Sequence, residues 1–208
     1  MNEVTGYPAA LDIDYPDRDL NRLTTFFRPF TMIPIAIVLA LVSGPGLHVG
    51  EAERRIALES GGIVVAAVAL MLLFRRKYPR WWFDWNVAMV GFSTRVFAYL
   101  ALLRDEYPST DEEQAVHIAI PYPDARELSR WLPLVKWFLA IPHYLVLALL
   151  TVGVCFDVII AWFAILLTGR FPRGLFDFIV GVLRWWLRVS AYAFLLSTDQ
   201  YPPFRLSA

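Results

Sequence analysis

Apolar residues gather in four stretches divided by polar segments: Phe30–Val42, Gly61–Phe74, Leu132–Leu150 and Val154–Thr168. The run from Trp137 to Thr168 holds a single acid, Asp157, and a single histidine, His143. That scarcity of polar groups predicts membrane helices rather than helices buried in a soluble domain. The first two stretches are only about 14 residues each, short of the ~20 that cross a bilayer, and reach that length only by taking in a few polar residues upstream. The pattern therefore predicts two helical hairpins, one built from about 23–42 and 57–74, the other from 132–150 and 154–168 with its turn around Gly153. A re-entrant arrangement, in which the segments dip in and return, is the alternative. Two further segments, Ala10–Tyr15 and Ala115–Tyr122, are short and extended in character, the second alternating Val116, Ile118 and Ile120. They are expected to lie on one side and to be able to pair.

The chain resembles itself. Placing Tyr78–Leu103 on Phe171–Leu196, an offset of 93, gives 11 identities in 26 positions, and each copy is followed by an Asp-x-Tyr-Pro string, Asp105–Pro108 and Asp199–Pro202. Leu20–Leu41 falls on Leu128–Leu149 at an offset of 108 with 9 identities in 22. The drop from 108 to 93 leaves fifteen extra residues in the first copy, within Ser43–Ser60, the expected outer loop. Self-similarity of this kind marks a repeat architecture. Repeat 1 is placed at 1–109 and repeat 2 at 110–208, each with a hairpin followed by a third helix, 79–104 and 172–197. With two crossings per repeat the copies share one orientation, related by an axis along the membrane normal.

The third helices carry Asp84 and Arg95 in one copy and Asp177, Arg184 and Arg188 in the other. An arginine at membrane depth costs roughly 2.5–3.5 kcal/mol or more. These helices are accordingly expected to be amphipathic and to lie in the inner interface, with Trp81, Trp82, Trp85, Trp185 and Trp186 as interfacial aromatics. Arg80 with Asp84, and Arg173 with Asp177, stand at i,i+4 and are expected to pair. Arg95 and Tyr99, and Arg188 and Tyr192, share that face. The set Arg80, Asp84, Arg95, Tyr99, Arg173, Asp177, Arg188 and Tyr192 is a candidate structural network between repeats, or a basic site for an anionic lipid headgroup. Pro34 and Pro142 are expected to kink their helices, freeing the carbonyls of Phe30 and Phe138. His143 is a possible intramembrane polar site, although its counterpart in the first copy is Ile35.

Composition sharpens this picture. Apolar residue types make up 58% of 208 residues, charged ones 18%, and nineteen basic residues balance nineteen acidic ones. Disorder and nucleic-acid binding are disfavoured by that balance. One cysteine excludes an internal disulfide and a cysteine-cluster zinc site, and the three histidines show no metal spacing. No cofactor motif and no catalytic motif such as GxSxG or a Walker loop occurs. The N-terminus lacks the basic start and apolar run of a signal peptide. With four crossings, seventeen of the nineteen basic residues fall inside and only Arg54 and Arg55 outside, predicting a multi-pass protein of the cell membrane with both termini cytoplasmic.

The strings DYPDRDLNRLTTFFRPF, KYPRWWFDWN, RWLPLVKWFLAIPHY, TGRFPRGLFDF and DQYPPFRL resemble the actinobacterial membrane proteins grouped as domain-of-unknown-function family 4389. The resemblance implies no catalytic residue, cofactor or substrate. The expected fold is an all-α integral membrane protein of two tandem repeats with short cytoplasmic extended segments. The expected function is non-enzymatic, an accessory or scaffold subunit of a larger membrane complex. Expected partners are the bilayer, an anionic lipid, and a membrane protein or a second copy of the chain. A small transporter or channel, and a lipid-modifying enzyme, are the alternatives.

Overall fold

The computed structural model describes residues 6–16, 19–43, 68–110, 112 and 114–207. The expected outer loop beyond Ser43, and Ala57 to Ala67 of the first hairpin's returning arm, lie outside the described residues. In chain order the structure forms strand β1 (Ala10–Ile13), helix α1 (Arg22–Ser43), helix α2 (Arg80–Leu100), strand β2 (Val116–Ala119), and helices α3 (Leu132–Leu139), α4 (Ile141–Thr168) and α5 (Arg173–Ala193). Ahead of α2 the chain is helical from Val68 and passes into a π-helical turn, Met71–Arg75. The protein is mostly helical, and two stretches, Arg22–Leu39 and Leu132–Thr168, are long and apolar enough to span a membrane.

The two extended segments do pair. β1 and β2 run antiparallel, with Ala10 opposite Ala119, Leu11 opposite Ile118, Asp12 opposite His117 and Ile13 opposite Val116. Leu11 and Ile13 point inward while Ala10 and Asp12 face out, the period of two that a half-buried strand requires.

The second hairpin is not present. Leu132–Leu150 and Val154–Thr168 belong to one helical run, interrupted only at Ala140, and α4 passes straight through Gly153. A lone glycine costs a helix only about 1 kcal/mol, too little to turn a chain of Val, Leu and Ile. Gly153 instead faces α5: a Cβ there would meet the Phe178 ring at 3.4 Å, an ordinary packing contact. Pro142 sits in the first turn of α4, directly after the break at Ala140. Pro34 lies within α1, which continues through it. Pro29 lies there too, and the carbonyl four residues earlier, on Thr25, accepts a bond from Trp162 Nε1 at 3.1 Å.

α2 and α5 begin alike. Pro79 and Pro172 precede them in extended conformation, φ −64° and ψ 126° or 125°, one place earlier than the first helical turn. Both helices stop short of 104 and 197 because Leu102 and Leu196 adopt left-handed φ values of 63° and 54°. Leu103 N then bonds back to Ala98 O, and Ser197 N to Ala191 O.

α5 is the centre of the fold. Ile179 to Val182 and Leu187 to Val189 are buried at consecutive positions, so more than one side is covered. β1 packs on it from one direction and α4 from another. Its apolar positions meet protein, whereas a helix laid flat in an interface would leave them open to lipid. α2 stands equivalently beneath β2 and beside α1. The result is layered: the strand pair, then α2 and α5, then α1 with α3–α4. Among the described residues only the last layer turns a continuous apolar face outward, including Leu145, Leu149, Val152, Phe156, Ile160, Phe163 and Leu167 on α4 and Phe26, Phe30, Ile33 and Ile37 on α1.

Candidate functional site

Two of the three cations buried among the described residues, Arg28 and Lys136, each meet an aspartate; the third, Arg188, does not. Arg28, on α1, is 2% exposed, and Lys136, on α3, is 0% exposed. A cation in an apolar helix is costly unless carboxylates and carbonyls meet it. Arg28 Nη1 donates to Tyr99 O at 2.9 Å and Arg104 O at 2.6 Å, Nη2 pairs with Asp105 Oδ1, and the guanidinium lies 4.3 Å from the Tyr99 ring centroid. Lys136 Nζ donates to Thr198 O at 2.7 Å, pairs with Asp199 Oδ1 at 2.8 Å, and stands 5.0 Å from the Tyr192 centroid. Each carboxylate has a second task. Asp105 Oδ2 accepts from Asn21 N at 2.9 Å, and Asp199 Oδ2 accepts from Ser129 N at 2.6 Å. Each aspartate thus ties the approach to an apolar helix to the cation within it. Arg28 and Lys136 are 108 apart in sequence, as are Asn21 and Ser129; Tyr99 and Tyr192 are 93 apart. The two clamps occupy matching places in the two halves of the chain.

Other contacts are exchanged between the halves. Tyr15 donates its hydroxyl to Phe171 O, and Tyr122 donates to Tyr78 O. The Tyr15 ring meets Phe176 edge-on at 5.0 Å, and Tyr122 meets Phe83 at 5.2 Å. Arg173 lies over Tyr15 at 5.0 Å and Arg80 over Tyr122 at 5.6 Å. β1 rests on α5 and β2 on α2, so each half places its strand on the other half's helix. Burial raises the Tyr78 hydroxyl well above its usual pKa, keeping it protonated to donate to Leu195 O at 2.7 Å.

The candidate network Arg80, Asp84, Arg95, Tyr99, Arg173, Asp177, Arg188 and Tyr192 divides among these features. Tyr99 and Tyr192 wall the clamps. Arg80 and Arg173 do not pair with Asp84 and Asp177, which are exposed; an i,i+4 pair in water is worth only ~0.2–0.5 kcal/mol, and the tyrosine faces across the interface hold the guanidiniums instead. Arg95 Nη1 donates to Ser109 O at 2.9 Å. Arg188 donates from Nε to Arg184 O at 3.3 Å and from Nη2 to Arg205 O, holding the C-terminal segment against α5. Burial, with Arg205 nearby, lowers the Arg188 pKa from its usual value. The structure therefore does not gather the eight residues into one pocket. The partners that matter most, Arg28, Lys136, Asp105 and Asp199, were outside that set. The available signal was the self-similarity, which sets Arg28 on Lys136 at the offset of 108 and matches Asp105 to Asp199 through the Asp-x-Tyr-Pro strings.

His143 is fully buried. Its Nδ1 accepts from Trp185 Nε1 at 3.0 Å, and Phe204 stacks on the ring at 4.0 Å with Tyr201 at 4.8 Å. The indole fixes the tautomer, since a nitrogen that accepts carries no proton. Among the described residues no group of three or more His, Cys, Asp or Glu could hold a metal.

The fold and its clamps define a class: a mostly helical protein in which two membrane-length apolar helices lie below a helix pair and a two-stranded sheet. Residues 130–205 match the model of a family described as a domain of unknown function (DUF4389), the family to which the sequence motifs point. The match takes in α3, α4, α5 and the whole Lys136–Asp199 clamp. No curated protein and no solved structure matches the chain.

Proposed function

We propose that this protein is a non-enzymatic membrane scaffold, an accessory subunit built by internal duplication, with the outer faces of α1 and α4 embedded in one leaflet of the cell membrane and the sheet turned toward the cytoplasm. The observation that carries the reading is the exposure of α4. Half of its circumference is covered by protein and the other half is apolar over its full length, about 42 Å at 1.5 Å per residue. Soluble monomers rarely leave open an apolar patch beyond a few hundred Å². Transferring that face from water to lipid is worth on the order of 10 kcal/mol at about 25 cal/mol per Å².

An in-plane arrangement suits the layering better than crossings do. α5 runs antiparallel beside α4, and β1 packs midway along α5, where Arg184 bonds Leu11 O at 2.9 Å and pairs with Asp12 at 2.7 Å. Setting α4 upright would carry the exposed Asp12, Asp14 and His117 to the middle of the bilayer, where charged groups are expensive. The scaffold role is supported by the bonds the buried polar groups make: both clamps, Arg188 and His143 bond backbone carbonyls and neighbouring side chains of this same fold, while Arg28 Nε, Arg188 Nη1 and His143 Nε2 are buried without a hydrogen-bond partner. Duplication is supported by the matching clamps and the exchanged tyrosine contacts, as a two-fold relation requires.

Cys155, the sole cysteine, lies on the exposed face of α4 and gives a native labelling site. Nitroxide labels at Cys155, and at L145C and L167C in a C155S background, are expected to report one common depth in vesicles. A profile deepest at Cys155 and shallow at both ends overturns the in-plane arrangement. Labels open to water in the presence of vesicles overturn the membrane reading, and turnover abolished by a single polar substitution overturns the scaffold reading.

A further inference from the structure

The left-handed turn that closes each apolar arm has opposite fates in the two halves. In the second half it is Gly169, φ 77°, following α4. There the chain seals it: Leu20 N donates to Gly169 O at 2.8 Å, and Asp19 pairs with Arg170 at 3.0 Å. The matching turn in the first half is Arg76, φ 45°, 93 residues earlier, following the π-helical turn. Its flanks are Arg75 and Lys77, all three exposed, and Glu127, which corresponds to Asp19, makes no ion pair with them among the described residues. A cavity of about 700 Å³ opens instead between this turn and the Tyr122–Arg126 segment. Arg75, Arg76, Lys77 and Arg126 line it, none with an ion-pair partner among the described residues, against one carboxylate, Asp124. Asp124 Oδ1 is already held by Arg126 N at 2.8 Å. Exposed Leu70, Met71 and Phe74 lead up to the cavity, and Trp81 and Trp85 stand exposed just beyond, on α2. Apolar residues, cations and tryptophans side by side are what a bilayer–water boundary selects.

We propose that this cavity is a phosphate site filled by the headgroup of an anionic phospholipid, which answers Arg75, Arg76 and Lys77 in the first half as Asp19 answers Arg170 in the second. The site deepens the membrane reading and rests on it for its source of phosphate, since the exposed apolar approach from Leu70 to Phe74 would seat the acyl chains. Guanidinium groups match phosphate oxygens in paired donor geometry, and a headgroup without net negative charge would gain little from them.

The test uses the full chain in neutral detergent, so that it does not depend on how the helices meet a bilayer, with water-soluble short-chain phosphatidic acid, short-chain phosphatidylcholine and inorganic phosphate as probes in calorimetry. Phosphatidic acid is expected to bind and phosphatidylcholine not to. Arg75→Gln and Arg126→Gln should each weaken binding about fivefold, the equivalent of ~1 kcal/mol per cation. Arg170→Gln, on the sealed turn, should leave it unchanged. Asp124→Asn keeps the bond to Arg126 N, removes the opposing charge, and should tighten binding, a gain that misfolding cannot mimic. Equal binding of the two lipids, or wild-type affinity in Arg75→Gln and Arg126→Gln, overturns the site. Inorganic phosphate binding as tightly as the lipid overturns the lipid as its source. Failure of the nitroxide depth profile with this binding intact would refute the membrane arrangement and leave the phosphate site standing.

Discussion

The two halves of the chain differ most where they are most alike. Both bury a cation in an apolar helix, cover it with a tyrosine and answer it with the aspartate of an Asp-x-Tyr-Pro string. Arg28 has three anchors, the carbonyls of Tyr99 and Arg104 together with Asp105, whereas Lys136 has only Thr198 O and Asp199. The planar fork of arginine spreads its charge over fixed donors, while a lysine concentrates it at one point. The contrast teaches that the charge and its answering aspartate are what the fold needs, while the number of further anchors follows from the cation's shape.

The clamps give the largest expected effect. Asp199→Asn should destabilise the protein by about 2–4 kcal/mol, somewhat below the ~3–5 for a fully buried pair because Asp199 is partly exposed. Asp105→Asn should cost less, since Arg28 keeps two carbonyls. Thermal unfolding in detergent measures both, and equal losses would erase the difference drawn between the halves. Lys136→Met combined with Asp199→Asn should recover most of the loss, because no unpaired buried charge remains.

The next contrast is Gly181 with its counterpart Ala88. A Cβ at Gly181 would come within 2.8 Å of Leu206 Cβ and 3.2 Å of Leu206 O, where the C-terminal segment crosses α5. Gly181→Ala is therefore expected to cost about 1–3 kcal/mol through overpacking. Ala88 is exposed, so Ala88→Gly should cost no more than the ~1 kcal/mol of helix propensity. Limited proteolysis should release the C-terminal segment in the first variant and not in the second.

The smallest effect tests the exchange of contacts. Tyr15→Phe and Tyr122→Phe each remove one hydroxyl bond to a carbonyl of the other half and should cost about 1 kcal/mol apiece by the same unfolding measurement. Matched values would sharpen the two-fold relation, and a large cost for one with none for the other would break it.

Much of this fold was legible along the chain. Alternating Leu11 and Ile13, and Val116 and Ile118, announce strands because side chains on a strand face opposite ways with period two. Pro79 and Pro172 mark where α2 and α5 begin, since a proline is tolerated ahead of a helix and not within its hydrogen-bonded ladder. The sequence suggests a turn at Gly153 where the structure has a helix, because glycine looks the same in sequence whether it ends a helix or sits within one. The clamps escaped notice because residues 77 apart, Arg28 and Asp105, meet only after the helices pack.

By itself the sequence determined the local grammar: which segments are long and apolar, where helices start, and where the chain resembles itself. Those properties depend on neighbouring residues, and near neighbours suffice to set them. The tertiary structure alone decided that α5 is enclosed, that each strand settles on the opposite half's helix, that one left-handed turn is sealed and the other open, and which charges are buried. Each of these depends on which surfaces meet, and burial changes the cost of a charge far more than any neighbour in the chain can.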